Sequence, residues 1–128
     1  MVLWGRERRR KKRYNVSWEA CLNIDFHDLR GKINLRVINF SGIGVRVHSS
    51  RIYLNRRHLI LSDPQPHLEI IICTPSGDLI NEIEIQWFNQ HIEKNVFEIG
   101  IGFINMAKKN EFFVDKLIKR LGQRASYV

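Results

Sequence analysis

An all-β domain closed by a single C-terminal helix is the fold that this sequence predicts. Three observations carry it. Apolar residues alternate with polar ones along most of the chain, which is the period of half-buried strands. Short stretches of turn-forming residues separate the strand-like runs. Near residue 107 the apolar period changes to that of a helix. The chain has 128 residues, 44% of them hydrophobic, enough for one domain with a core of its own and short of two. About six antiparallel strands joined by short turns, with one late helix, make a small barrel.

The elements follow in order. In "VSWEACLNIDF", residues 16–26, Trp18, Ala20, Leu22, Ile24 and Phe26 alternate with Ser17, Glu19, Cys21, Asn23 and Asp25. "HDLRG" (27–31) carries turn chemistry and ends in Gly31. "INLRVI" puts Ile33, Leu35 and Val37 on one face, and "VRVHS" follows a small-residue stretch from Ser41 to Gly44. Residues 50–65 are mostly polar and irregular, closed by Pro64 and Pro66. "HLEIIICT" (67–74) is an isoleucine-rich strand and "PSGD" (75–78) a turn. In "LINEIEIQWF" strict alternation groups Ile83, Ile85 and Trp87 on the core face, against Glu82, Glu84 and Gln86. After the turn "HIEKN", the strand "VFEIGIGFI" alternates Phe97, Ile99, Ile101 and Phe103 with Glu98, Gly100 and Gly102. Glycines there weaken a strand unless something needs close approach. The helix is expected over about 107–122, with Phe113, Val114, Leu117, Ile118 and Leu121 on its apolar face. Asn110 suits its cap, Glu111 its first turn, Lys119 and Arg120 its last turn, and Gly122 the C′ position.

Charge is concentrated at one end. The formal net charge is +8, and residues 6–13, "RERRRKKR", hold seven basic groups against Glu7, so +6 of it lies in eight positions. Attraction for anions is therefore local to the N-terminal end. Residues 1–14 form a basic arm, and 15–128 the barrel with its helix. Cys21 and Cys73 sit in apolar contexts and read as small buried hydrophobes in a reducing compartment. The apolar start "MVLW" is too short for a signal peptide, and no run approaches the ~18 apolar residues of a membrane span. The expected location is the cytoplasm.

Enzymatic constellations are missing. His27, His48, His58, His67 and His91 are scattered without metal-ligand spacing. There is no nucleophile elbow, Walker-type loop or HExxH segment. Glu82 and Glu84 share a polar strand face, which means solvent more often than acid–base chemistry. The reading is a protein that binds and does not catalyse.

Two motifs point to what it binds. Arg9 and Arg13 have the spacing RxxxR directly before the first strand; Arg6 and Arg10 satisfy it too. Asn39, Ser41 and Gly44 form N-x-S-x-x-G between two strand-like segments. An amide and a hydroxyl there can hydrogen-bond a polar ligand, and Gly42 and Gly44 let backbone come close. RxxxR followed one strand-pair later by [D/N]xSxxG resembles the PilZ domain, a bacterial receptor for cyclic di-GMP. The resemblance runs nearly end to end: a tryptophan-bearing strand "EIQWF", a strand "IGIGF" and a helix follow in the family's order. Asparagine at 39 replaces the commoner aspartate, which the motif allows, and the x positions of RxxxR are unusually basic.

That resemblance implies a six-stranded antiparallel β-barrel, split-barrel-like, with a C-terminal helix. It implies cyclic di-GMP as the ligand, no cofactor or metal, and Arg9, Arg13, Asn39, Ser41 and Gly44 as the site. It places the second arginine at the strand junction, hence Arg9 and Arg13 in preference to Arg6 and Arg10. An arginine immediately before the motif, here Arg8, goes with an intercalated pair of ligand molecules, so two per chain. Arg46 and Trp87 are further candidates for stacking on a base, and Gly42 for close backbone contact. Arginine suits this ligand because its fork pairs with guanine O6 and N7, grips phosphate or stacks on a purine, whereas lysine serves only phosphate well. Lys11 and Lys12 then belong to the surrounding tail. The receptor would change conformation on binding and signal to a protein partner. Two other readings remain: a small basic barrel that binds nucleic acid through its arm, and a PilZ-like domain that has lost the ligand.

Overall fold

The computed structural model describes residues 10–91 and 93–125. Strands β1 (Tyr14–Asp25), β2 (Arg30–Phe40), β3 (Gly44–Ser49), β6 (His67–Thr74), β7 (Gly77–His91) and β8 (Val96–Phe103) close into a barrel in the order β1-β2-β3-β8-β7-β6, every pair antiparallel. The polar stretch expected to be irregular carries a two-stranded hairpin, β4 (Tyr53–Leu54) and β5 (Arg57–His58). Ile52 and Leu59, both buried, tie this hairpin down. The six-stranded barrel with its C-terminal helix is as expected.

Leu22, Ile24, Ile33, Leu35, Val37, Val45, Val47, Ile70, Ile72, Leu79, Ile99 and Ile101 fill the interior. They are the inward members of the alternating strands, and their branched side chains suit a pleated, half-buried surface. Phe40 lies at the centre of an aromatic group, 5.3 Å from Trp18 and 6.2 Å from Phe103 between ring centroids. The cysteines are free, but neither is buried as expected: Cys21 is half-buried and Cys73 exposed. Period two explains this, because each sits on the outward beat of its strand.

Helix α1 (Lys108–Ala125) buries Val114, Leu117 and Ile118 against the barrel. Its ends differ from expectation. The carbonyl of Ala107 accepts from the backbone N–H groups of Asn110 and Glu111, so Asn110 is inside the first turn and does not cap it. Its amide instead donates to the carbonyl of Ile80 (2.7 Å) and to Asn81 Oδ1 (3.0 Å). At the other end the helix runs through Gly122, and a Cβ there would stand 3.4 Å from the Tyr14 hydroxyl. Gly122 therefore lies within the helix beside the start of β1 and is not a C′ stop.

Asn81 joins three parts of the fold. It is 5% exposed, and its amide donates to the carbonyls of Glu82 (2.8 Å) and Ile104 (2.9 Å) while its Oδ1 accepts from Asn110. Replacing it by leucine removes all three bonds and leaves the Ile104 carbonyl without its amide donor. We expect Asn81→Leu to lose roughly 1–3 kcal/mol, seen as a lower urea midpoint with an unchanged slope. An unchanged midpoint would show that these bonds do not hold the helix to the barrel.

Candidate functional site

The site begins with a defect in the strands. β1 shifts register between Asn15 and Trp18, β2 between Val37 and Asn39, and β7 between Ile85 and Trp87. In β2 and β7 the extra residue inverts the inward and outward beats beyond it, while β1 keeps its alternation through the shift. In β2, Phe40 therefore turns into the core, fully buried, and Asn39 turns to the other side of the strand, where it is only 9% exposed. In β7, Trp87 pairs with Gly100 and is 37% exposed. Alternation had placed Trp87 on the core face with Ile83 and Ile85; the bulge at Gln86 corrects that.

Beyond the bulges one row crosses five strands on the outer face. Asn15 pairs with Asn39, Asn39 with Arg46, Arg46 with Gly100, and Gly100 with Trp87. Gly100 answers the question of the glycine in its strand. A Cβ there would lie 2.2 Å from Trp87 Nε1, so the indole rests directly on the backbone of β8. The Arg46 guanidinium lies 5.5 Å from the Trp87 ring centroid, within cation–π range.

At the other end of the row, Arg13 Nη1 donates to Asn39 Oδ1 at 2.9 Å, a contact between residues 26 apart in sequence. Arg13 is exposed at the entrance to β1. Arg8 and Arg9 lie outside the described residues. Arg10 has a different environment: its Nε stands 3.4 Å from Asp115 Oδ1 on α1, and its carbonyl accepts from Gly42 N–H at 2.7 Å. Gly42 needs its bare Cα for this, because a Cβ would meet the Arg10 backbone at 2.9 Å. Lys12 Nζ lies 5.5 Å from the Tyr14 ring centroid.

Ser41 and Gly44 build the turn between β2 and β3. Ser41 is fully buried. Its hydroxyl donates to Gly44 O (3.1 Å) and accepts from the N–H groups of Ile43 (3.3 Å) and Gly44 (3.2 Å). Gly44 packs so tightly on β8 that a Cβ would be 2.1 Å from Ile101 O. In this structure both residues shape the loop that receives Arg10, while Arg13, Asn39, Arg46 and Trp87 present side chains on the outer face.

Sequence reasoning did not single out Asn15, or the acid beneath Arg46. Glu98 Oε1 stands 3.3 Å from Arg46 Nε, and His91 Nε2 hydrogen-bonds Glu98 Oε2 at 2.7 Å. The His91 bond, then Arg46 and the neighbouring histidines, hold the Glu98 carboxyl below its ordinary range against the opposing effect of burial. His48 completes the group, its ring 6.2 Å from that of His91. No local motif could reveal a cluster assembled from three strands; the signal lay only in the register.

Solved structures that share this architecture include two of YcgR from Escherichia coli. The PilZ domain of YcgR from Escherichia coli with c-di-GMP superposes with a TM-score of 0.66 at 14% identity, over 92% of this chain and 94% of that one. YcgR from Escherichia coli in complex with c-di-GMP gives 0.62 at 14% identity, over 92% of this chain and 48% of that one. The chain has the fold of a PilZ domain. No protein-family model and no curated protein sequence matches it, so the PilZ likeness is one of architecture. Among the described residues, no cluster of three His, Cys, Asp or Glu side chains is placed to hold a metal ion, and no helix is long and apolar enough to cross a membrane.

The Trp87–Gly100 contact can be tested directly. In Gly100→Ala the new methyl must displace the indole, so the Trp87 Nε1–H resonance should move while that of Trp18 stays. If neither resonance moves, the indole does not rest on β8 as described.

Proposed function

We propose that this protein is a non-enzymatic receptor for cyclic di-GMP. The observation that carries the reading is the Arg13–Asn39 hydrogen bond. It joins the second arginine of RxxxR to the first residue of N-x-S-x-x-G, two motifs that nothing in the sequence obliges to meet. The likeness to two YcgR structures determined with c-di-GMP supports the same ligand.

Each residue has a physical part in this reading. Arg9 and Arg13 supply forked donors for phosphate or for guanine O6 and N7. Asn39 orients the Arg13 fork and offers its own amide to a base edge. Ser41, Gly42 and Gly44 hold the β2–β3 turn in the shape that seats the arm. Arg46 and Trp87 form a flat surface of the kind on which a purine stacks. Arg10, the second arginine of the other possible register, is directed at Asp115 on α1, which favours Arg9 and Arg13 as the ligand pair. Because Gly42 holds the arm by its backbone, a ligand that draws in Arg9 and Arg13 can alter how the arm meets α1. That is a route from ligand to a change of surface that a protein partner could read. A cytoplasmic location fits a soluble second messenger.

Titration calorimetry with cyclic di-GMP, with GTP and a mixed oligonucleotide as controls, tests the reading. Cyclic di-GMP should bind and the controls should not; preferential binding of the oligonucleotide would favour a nucleic-acid-binding barrel. Arg13→Ala or Arg9→Ala should cost at least about 2 kcal/mol of binding through loss of a charge-assisted contact. Lys11→Ala and Lys12→Ala should cost much less. Equal losses at lysine and arginine positions would mean that general electrostatics, not a motif, holds the ligand.

Stoichiometry should be two molecules per chain. A stacked pair brings four phosphate charges together and needs cations beside it. Arg8, Arg9 and Arg13 supply three, so Arg8→Leu should reduce the ratio to one while the first molecule keeps most of its affinity. A ratio of two that survives Arg8→Leu would rule out this role for Arg8.

A further inference from the structure

Arg46 is offered to two partners. Its guanidinium lies over Trp87 on the outer row (5.5 Å), and its Nε faces Glu98 Oε1 at 3.3 Å. That Nε is buried and makes no hydrogen bond among the described residues, so Glu98 holds Arg46 by charge without the geometry of a bonded pair. The carboxylate itself is better served from the other side, where His91 Nε2 lies at 2.7 Å.

We propose, resting on the receptor reading above, that Glu98 is an internal competitor for Arg46 and that protonation of His91 releases Arg46 to the ligand. Three charged or titratable groups bear on the Glu98 carboxylate: Arg46 and His48 from β3, and His91 from β7. With both imidazoles neutral, Arg46 and Glu98 cancel, and the row presents little net charge to a phosphodiester. A proton on His91 turns its hydrogen bond into an ion pair with Glu98. The carboxylate then has a cation of its own, its hold on Arg46 weakens, and the cluster gains one positive charge. Both effects favour an anionic ligand. Imidazole is the side chain whose ordinary charge change falls between about pH 5 and 8, so binding should take up a proton in that range and tighten as pH falls. The Glu98 carboxyl, held below its ordinary range by these partners, stays ionised throughout it.

The sign is opposite for the acid. In Glu98→Gln the competitor loses its charge while Trp87 still supports the Arg46 plane. Binding of cyclic di-GMP should therefore tighten at high pH, and its dependence on pH should flatten.

Calorimetry with cyclic di-GMP from about pH 5.5 to about pH 8, in buffers of different ionisation enthalpy, measures affinity and proton uptake together. For the wild-type chain we expect affinity to rise roughly tenfold across the range, with uptake of up to about one proton per site. Glu98→Gln should bind about threefold or more tighter than wild type near pH 8, the scale expected of one removed charge at a partly exposed site. His91→Gln keeps a hydrogen-bond donor to Glu98 but cannot titrate, so it should match wild type near pH 8 and fail to tighten below it. A flat wild-type profile with no proton uptake overturns the proposal and leaves the receptor reading intact. So does a slope that survives His91→Gln and disappears in His48→Gln, or weaker binding by Glu98→Gln near pH 8. Absence of binding by the wild-type chain at every pH overturns both readings.

Discussion

Register is the constraint on which the rest of this structure depends. A closed barrel leaves each side chain only two directions, inward to the apolar core or outward. Strict alternation along β2 from Val37 would send Asn39 inward and Phe40 out. Along β7 it would send Trp87 into the core. The bulges at Ile38 and Gln86 exchange these assignments, so that Phe40 fills the core, Trp87 comes to the surface, and Asn39 turns to the outer side of its strand, where it stays buried with its Oδ1 on Arg13. A bulge in β1 lies in the same tier, between Asn15 and Trp18. Each costs a rung of regular pairing. Together they gather amide, guanidinium and indole groups into one row on an otherwise ordinary barrel.

Packing around the row keeps those groups in place. Gly100 lets the indole rest on the backbone of β8, Arg46 lies over the indole, and Glu98, itself hydrogen-bonded by His91, faces the Arg46 Nε. The β2–β3 turn is equally determined, with the Ser41 hydroxyl bonded entirely within it and Gly44 pressed against Ile101. The turn therefore offers a rigid seat to Arg10, and the arm enters β1 at a fixed point with Arg13 against Asn39. One end of the site is thus fixed by backbone packing and the other by charge. A ligand gripping both would link the arm, the barrel face and α1.

Much of this was legible in the chain. The alternating runs named much of the core on β1, β2 and β8, because burial on one face of a strand imposes a period of two, but they did not single out Phe40, Ile52 or Leu59, which are buried as well. The helix was visible from its stripe of Phe113, Val114, Leu117, Ile118 and Leu121, although its ends were not. Asn110 looked like a cap but reaches across to β7, and Gly122 looked like a stop but lies within the helix, beside Tyr14. At Asn110 a tertiary contact overrides a local preference. The motif residues Arg13 and Asn39 were legible as candidates, and the glycine at 100 was legible as an anomaly without a cause.

What the sequence by itself determined was the set of elements and the identity of the polar groups placed between them. Local periodicity and turn chemistry act over a few residues, and a few residues suffice to read them. Which groups meet was decided only by the closed barrel. Arg46, Glu98, His91 and His48 come from strands that closure and register bring side by side. Trp87 faces outward because one extra residue shifts its strand by half a period. A bulge costs little locally and has no residue signature of its own, so its consequence appears only when the neighbouring strand is present to define the register.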